Sequence, residues 1–195
     1  MPRVRADDYE DKTRAIMDAA ASLFARTGYP NAKMQDIAKA CGASKSMLYH
    51  YFQSKDDLLF AMLKEHLELL IASLQQAHDE AATAEERLVT FVRTYVQKSA
   101  QARRRNIVAT FDLKYLPPSQ QAPLLQLESK VIDLTAGILA AVNPRLEKPM
   151  YKPYALMLVG MLNWTDTWYR TSGAMKQPEL CDRLARLFLK GFLAE

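Results

Sequence analysis

Apolar residues recur at intervals of three and four along nearly the whole chain, and no stretch alternates apolar and polar residues as a half-buried strand would. That periodicity confines the chain to an all-α fold. A first helix is predicted over residues 9–27, with Ile16, Ala19, Ala20, Leu23 and Phe24 on one stripe. Gly28 ends it, because only glycine adopts a positive φ cheaply. A short second helix covers 33–41 and is closed by Gly42, and a third runs from Ser44, its N-cap, to 52. Ser54 caps a long fourth helix whose Leu58, Leu59, Met62, Leu63, Leu67, Leu70, Ile71 and Leu74 make a wide apolar face. Five more are predicted over 85–102, 104–115, 119–142, 151–169 and 178–192, with Pro117-Pro118 and Asn143-Pro144 as breaks. About nine helices are expected, in two domains: residues 1–55, then 56–195.

Composition removes several function classes. Six glycines against nine prolines argue against Gly-rich or all-β architectures, and an apolar fraction of 49% with 25% charged residues is that of a globular chain. Cys41 and Cys181 are too isolated for a disulfide scaffold or a thiolate metal site. The longest apolar run, 155–162, is far short of a membrane span, and Asp7, Asp8, Glu10 and Asp11 are incompatible with a signal peptide. A cytoplasmic protein without membrane contact is expected. The histidines His50, His66 and His78 lack ligand spacing, and His78-Asp79-Glu80 on adjacent positions cannot converge on one ion. With no phosphate loop, nucleophile elbow or HExxH, neither metal, cofactor nor enzymatic activity is expected.

The net charge is +4, and nine Lys and Arg against six Asp and Glu fall within the first 55 residues. An anionic partner for that region is a weak inference from charge alone. The helix pattern sharpens it. Helices two and three, joined through Gly42, have a helix-turn-helix layout. Leu48 and Phe52, four apart, would anchor helix three, leaving Lys45, Ser46, Tyr49 and His50 together on the opposite face. Those side chains all hydrogen-bond to base edges or phosphates, and a major groove about 12 Å wide admits such a helix.

The stretch from Lys12 to Met62 resembles the DNA-binding domain of tetracycline-repressor-like (TetR family) regulators. The matching residues are Ala20 to Phe24, Gly28-Tyr29, Ile37-Ala38, Gly42, Ser44-Lys45, Leu48-Tyr49, Tyr51-Phe52, Lys55 and Leu58. The resemblance implies a dimeric transcription regulator, usually a repressor that a small molecule releases from a double-stranded DNA operator. It places Lys45, Ser46, Met47, Tyr49 and His50 on the base- and phosphate-facing side of the recognition helix, with Ser44 at its start. Lys55 matches a phosphate-contacting lysine. Two departures stand out. Ala32-Lys33 replaces the usual Thr-Ser before helix two, so Lys33 would supply charge there and Asn31 the cap; Ala43 replaces a usual Val. Arg3 and Arg5 fit either a basic arm in the minor groove or, better, a solvated tail.

The second half carries aromatic and thioether bulk. Phe91, Tyr95, Phe111, Tyr115, Met157, Met161, Trp164 and Trp168 suit the walls of an apolar effector cavity, although each taken singly fits plain core packing. Leu162-Asn163-Trp164 with Trp168-Tyr169 and Gly173 resembles the late helices of family members that sense fatty or aromatic acyl-coenzyme A thioesters. Asn163 would then meet a ligand carbonyl. Helix nine repeats Leu180, Leu184, Leu187, Phe188 and Phe192, and the resemblance places helices eight and nine in a homodimer interface. The Arg103-Arg104-Arg105 cluster reads as a solvated helix junction before an anion site, and His66 as a packed core residue. The alternative to an effector-released repressor is a helix-turn-helix protein whose second half only dimerises.

Overall fold

The stripe of Ile16, Ala20 and Phe24 is carried by α1 (Arg3–Thr27), in a computed structural model that describes residues 3–79 and 83–195, with side chains described for 9–77 and 83–195. The other helices are α2 (Met34–Ala40), α3 (Lys45–Tyr51), α4 (Lys55–Asp79), α5 (Ala84–Gln101), α6 (Arg103–Asp112), α7 (Pro118–Val142), α8 (Tyr151–Trp168) and α9 (Gln177–Phe192). Among the described residues there is no strand, and the fold is all α. Two boundaries differ from the periodic pattern. α1 begins six residues earlier than 9, and α6 gives way to a 3-10 turn over Leu113–Tyr115. Arg3, Arg5 and the run His78-Asp79-Glu80 lie outside the described side chains.

The corner between α2 and α3 follows from three residues. Gly42 stands at φ +67°, where a Cβ would be strained. Its N–H reaches the Lys39 carbonyl at 3.3 Å and the Ala43 N–H reaches Ala38 at 2.9 Å, the paired bonds of a Schellman cap. Ser44 Oγ then accepts the Met47 N–H at 3.1 Å, opening α3 at once. Gly28, also at positive φ, ends α1. Asn31 does not cap α2; its amide donates to the Thr27 carbonyl at 2.8 Å and finishes α1 instead.

Contacts divide the chain into two compact units. The first comprises Met1–His66 and Arg104–Leu124, so by contacts α6 from Arg104 onward, with residues 113–124, joins the helix-turn-helix motif. Phe24, Ile37, Leu48, Leu58, Met62 and Leu63 are fully buried in it. Arg104 donates to Ser22 Oγ at 2.9 Å, and Arg105 binds Asp18 at 2.8 Å and also Glu65. The expected solvated arginine junction is therefore corrected: long side chains here reach back to α1 and α4.

His66 is buried and bonded through Nε2 to Asn106 Oδ1 at 3.2 Å. Burial lowers its pKa, aided by the Arg105 charge and opposed by the Asn106 bond and Glu65. The unfolded chain therefore takes up the proton first. The contribution is complete above the ordinary value of 6.5 and is lost as pH falls through it toward the depressed folded value. Urea midpoints should fall between pH 7.5 and 5.5, and less steeply in His66→Gln; equal slopes would refute this assignment.

The second unit comprises Leu67–Arg103 and Leu125–Glu195. Thr83 and Glu86 form a reciprocal capping box at the start of α5. The buried face of α5, Leu88, Phe91, Val92, Tyr95 and Val96, packs on α8 and α9. Leu158, Leu162, Leu180, Leu184 and Phe192 belong to the same core. Asn143 binds the Phe192 carbonyl at 3.1 Å, while its own carbonyl takes the Tyr151 hydroxyl at 2.9 Å. Arg103 is here too, donating from Nε to the Asp166 carbonyl at 2.9 Å.

Candidate nucleic-acid interface and effector region

Helix α3 is anchored on one side and open on the other. Leu48 and Phe52 are buried, as their spacing requires, and Lys45, Ser46, Tyr49 and His50 are exposed. Lys45 Nζ lies 5.8 Å from the Tyr49 ring centroid, so cation and phenol share one patch. Met47 is half-buried and Ser44 exposed at the cap. Lys33 is exposed at the N-cap position of α2, without a side-chain capping bond. One contributor escapes the sequence reading. Tyr9 of α1 stacks on Tyr51 at 4.7 Å, and the Tyr51 ring meets His50 edge-on at 5.7 Å, fixing the end of α3 to α1.

Lys55, of which a phosphate contact is expected, also bonds within the chain. Its ammonium donates to the Tyr29 carbonyl at 2.8 Å and the Ala32 carbonyl at 3.0 Å, 4.2 Å from the Tyr29 ring centroid. Two donors are thus spent on the backbone that enters α2. Removing a donor from such partners costs about 1–3 kcal/mol. Lys55→Ala should lower the melting temperature and operator affinity while leaving the salt slope of binding unchanged. A slope flatter by about one unit would restore the phosphate contact.

The eight residues expected to wall an effector cavity are divided between the two units, some buried and some exposed. Phe91 and Tyr95 are buried in the second unit, where Tyr95 donates to Asn163 Oδ1 at 2.7 Å. Asn163 thus finds its partner within the chain, and Met161 is half-buried nearby in the same core. Burial, with Asp166 and Glu128 close by, holds the Tyr95 hydroxyl well above its usual range, so it remains a donor. Burial also pushes the Glu128 carboxyl up. Ser99, one turn beyond Tyr95, is buried with no hydrogen-bond partner for Oγ. These polar residues were missed by an aromatic and methionine search; the signal was Ser99 at i+4 from Tyr95 on an apolar stripe. Phe111 and Tyr115 lie in the first unit and are exposed.

Trp164 and Trp168 stand apart from that buried set. They are 61% and 50% exposed, and with Leu156, Met157 and Gly160 they form an outward stripe opposite buried Leu158, Leu162 and Thr165. On α9, Leu180, Leu184 and Phe192 face inward, leaving Leu187 as the exposed leucine of that repeat. Among the described residues, no three His, Cys, Asp or Glu side chains gather as metal ligands, and no helix is long and apolar enough to cross a membrane.

Comparison with known proteins agrees with this architecture. Residues 16–62 match the family of "Bacterial regulatory proteins, tetR family", and residues 81–192 match "Tetracyclin repressor-like, C-terminal domain". A TetR-family transcriptional regulator from Bordetella parapertussis is 32% identical, with a TM-score of 0.87 over 94% of this chain and 96% of that one. AibR in complex with isovaleryl coenzyme A and operator DNA shares the fold, at 24% identity and a TM-score of 0.81 over 90% and 97% of the two chains. The fatty acid metabolism regulator protein of Bacillus subtilis is 28% identical over 66% of this chain. The chain spans 62% of that relative's length, and so less than two thirds of it. With both parts of the chain matched, the protein belongs to the tetR family of bacterial regulatory proteins.

Proposed function

We propose that the protein is a cytoplasmic, non-enzymatic repressor that binds a palindromic operator as a homodimer and is released by an apolar, acyl-coenzyme A-like effector. The observation that carries the DNA-binding part is α3: an anchored helix presenting Lys45, Ser46, Tyr49 and His50 to solvent. Ser44 and Met47 flank that face, Lys33 stands at the neighbouring helix start, and Lys55 donates to the backbone just before α2. Two such helices on a symmetric dimer would enter successive major grooves about 34–36 Å apart. The outward stripe of α8, with Leu187 of α9, supports the choice of dimer face.

The effector part draws on the fatty acid regulator and on AibR, whose structure holds isovaleryl coenzyme A. In this chain Phe91, Tyr95, Met161 and Asn163, joined by Ser99 and Glu128, are the residues proposed to meet it. The test begins with an operator selected from a random duplex library. Fluorescence anisotropy then follows its release by acyl-coenzyme A thioesters of increasing chain length. Release at micromolar thioester is expected. A stable complex at concentrations near a millimolar, with no shift in melting temperature, would favour a second half that only dimerises.

A further inference from the structure

Residues 112–120 stand far along the chain from the helix-turn-helix motif, yet they hold both of its ends. Tyr29 occupies the 3-10 turn just before α2, and Asp57 lies in the first turn of α4, just after α3. Asp112 is buried beside the Tyr29 backbone, which offsets part of the rise that burial gives its carboxyl pKa. The Tyr115 ring stacks on the Tyr29 ring at 5.9 Å. Gln120 Nε2 donates to Asp57 Oδ1 at 2.9 Å. One segment thus grips the entry and the exit of the motif, within a single compact unit.

The gripped residues are themselves well seated. Tyr29 donates its hydroxyl to Asp56 and meets Phe24 edge-on at 5.2 Å. Burial, reinforced by Asp56, keeps that hydroxyl protonated. Asp57 receives the Ser54 hydroxyl at 2.7 Å while its own N–H bonds Ser54 Oγ at 3.0 Å, the cap that starts α4. Helices α2 and α3 have seven residues each, too few to be stable as isolated helices in water. The direction in which α3 presents its outer face therefore depends on what fixes the segments before and after it. Bonds to a carboxylate are the stronger kind, and the Gln120 contact is of that kind.

We infer that Tyr115 and Gln120 are positioning residues for operator binding, setting the attitude of α3 through Tyr29 and Asp57 without touching DNA. The inference rests on the proposed use of α3 as the recognition helix. It gives the exposed Tyr115 a role that a cavity wall does not.

The test uses full-length protein carrying Tyr115→Ala, Gln120→Ala or Gln120→Glu, the last placing a carboxylate against Asp57. Each should bind the operator about tenfold more weakly, Gln120→Glu most weakly of the three. The salt slope and the affinity for unrelated duplex should stay at parent values, because no phosphate contact is lost. Tyr115→Phe, which keeps the stacked ring, should restore binding, an outcome that separates positioning from loss of a surface hydroxyl. Gln120→Ala, at a half-buried site, covers the case in which Tyr115→Ala fails to fold. If the parent binds its operator and both Gln120→Ala and Gln120→Glu bind within twofold of it, the inference is overturned. A flattened salt slope overturns it equally, by making these residues DNA contacts. If the parent selects no duplex at all, the operator reading fails first and this one with it.

Discussion

The doubly substituted Lys45→Ala/Tyr49→Ala protein is expected to lose operator affinity by two orders of magnitude or more while keeping its fold. Both side chains leave the exposed face of α3, and a base-directed contact is worth about 1–3 kcal/mol of discrimination. Lys45 and Tyr49 share a patch, so their losses will not add fully, and a combined cost of about 3–4 kcal/mol corresponds to a few hundredfold. Stability should hardly move. The anchoring residues Leu48 and Phe52 are untouched, and exposed substitutions usually stay within about 0.5 kcal/mol. Affinity for unrelated duplex should fall far less, with the loss of at most one cationic contact in the salt slope. Anisotropy with operator and scrambled duplexes at matched salt, beside circular dichroism, makes the measurement. Operator binding equal to the parent's would remove α3 from the interface.

The parts of this site that were legible in sequence are those written in local chemistry. Gly42 announces a positive φ, Ser44 a cap, and the four-residue spacing of Leu48 and Phe52 an anchored face; each acts within a turn or two of chain. Lys55 was legible only as charge. Its two acceptors lie 23 and 26 residues away in sequence, and no periodicity encodes them. Arg105 and Gln120 are the same case, with partners 87 and 63 residues distant. The early start of α1 escaped because the segment from Arg3 to Asp8 is largely polar, and polar helix formers leave no apolar stripe to detect.

The tryptophans illustrate a different limit. Helix α8 is apolar on more than one side, and a 3.6-residue period separates the sides without saying which one the chain itself covers. An inward face of Leu158 and Leu162 and an outward face of Met157 and Trp164 look alike as sequence. The aromatic bulk therefore reads as one wall, whereas Phe91 and Tyr95 are buried and Trp164 and Trp168 exposed.

That outward face yields the second large effect. Trp164→Glu is expected to convert the proposed dimer into a folded monomer at micromolar concentration. Trp164 is 61% exposed in the single chain and Met157 58%, so the intramolecular core loses little when the indole goes. In a twofold dimer the same residue would be covered on both protomers, and each substitution counts twice. Losing the burial of a large apolar side chain costs about 1.5–3 kcal/mol, and each new carboxylate must also be desolvated. Two copies therefore remove at least about 4 kcal/mol, roughly a thousandfold in the dimer dissociation constant. Sedimentation velocity should show the monomer, circular dichroism an unchanged helical signal, and operator binding only the weak affinity of a single half-site. The result also decides between two uses of one side chain. If Trp164→Glu still sediments as a dimer and binds operator normally but no longer answers to acyl-coenzyme A, Trp164 belongs to the effector site and the dimer face lies elsewhere.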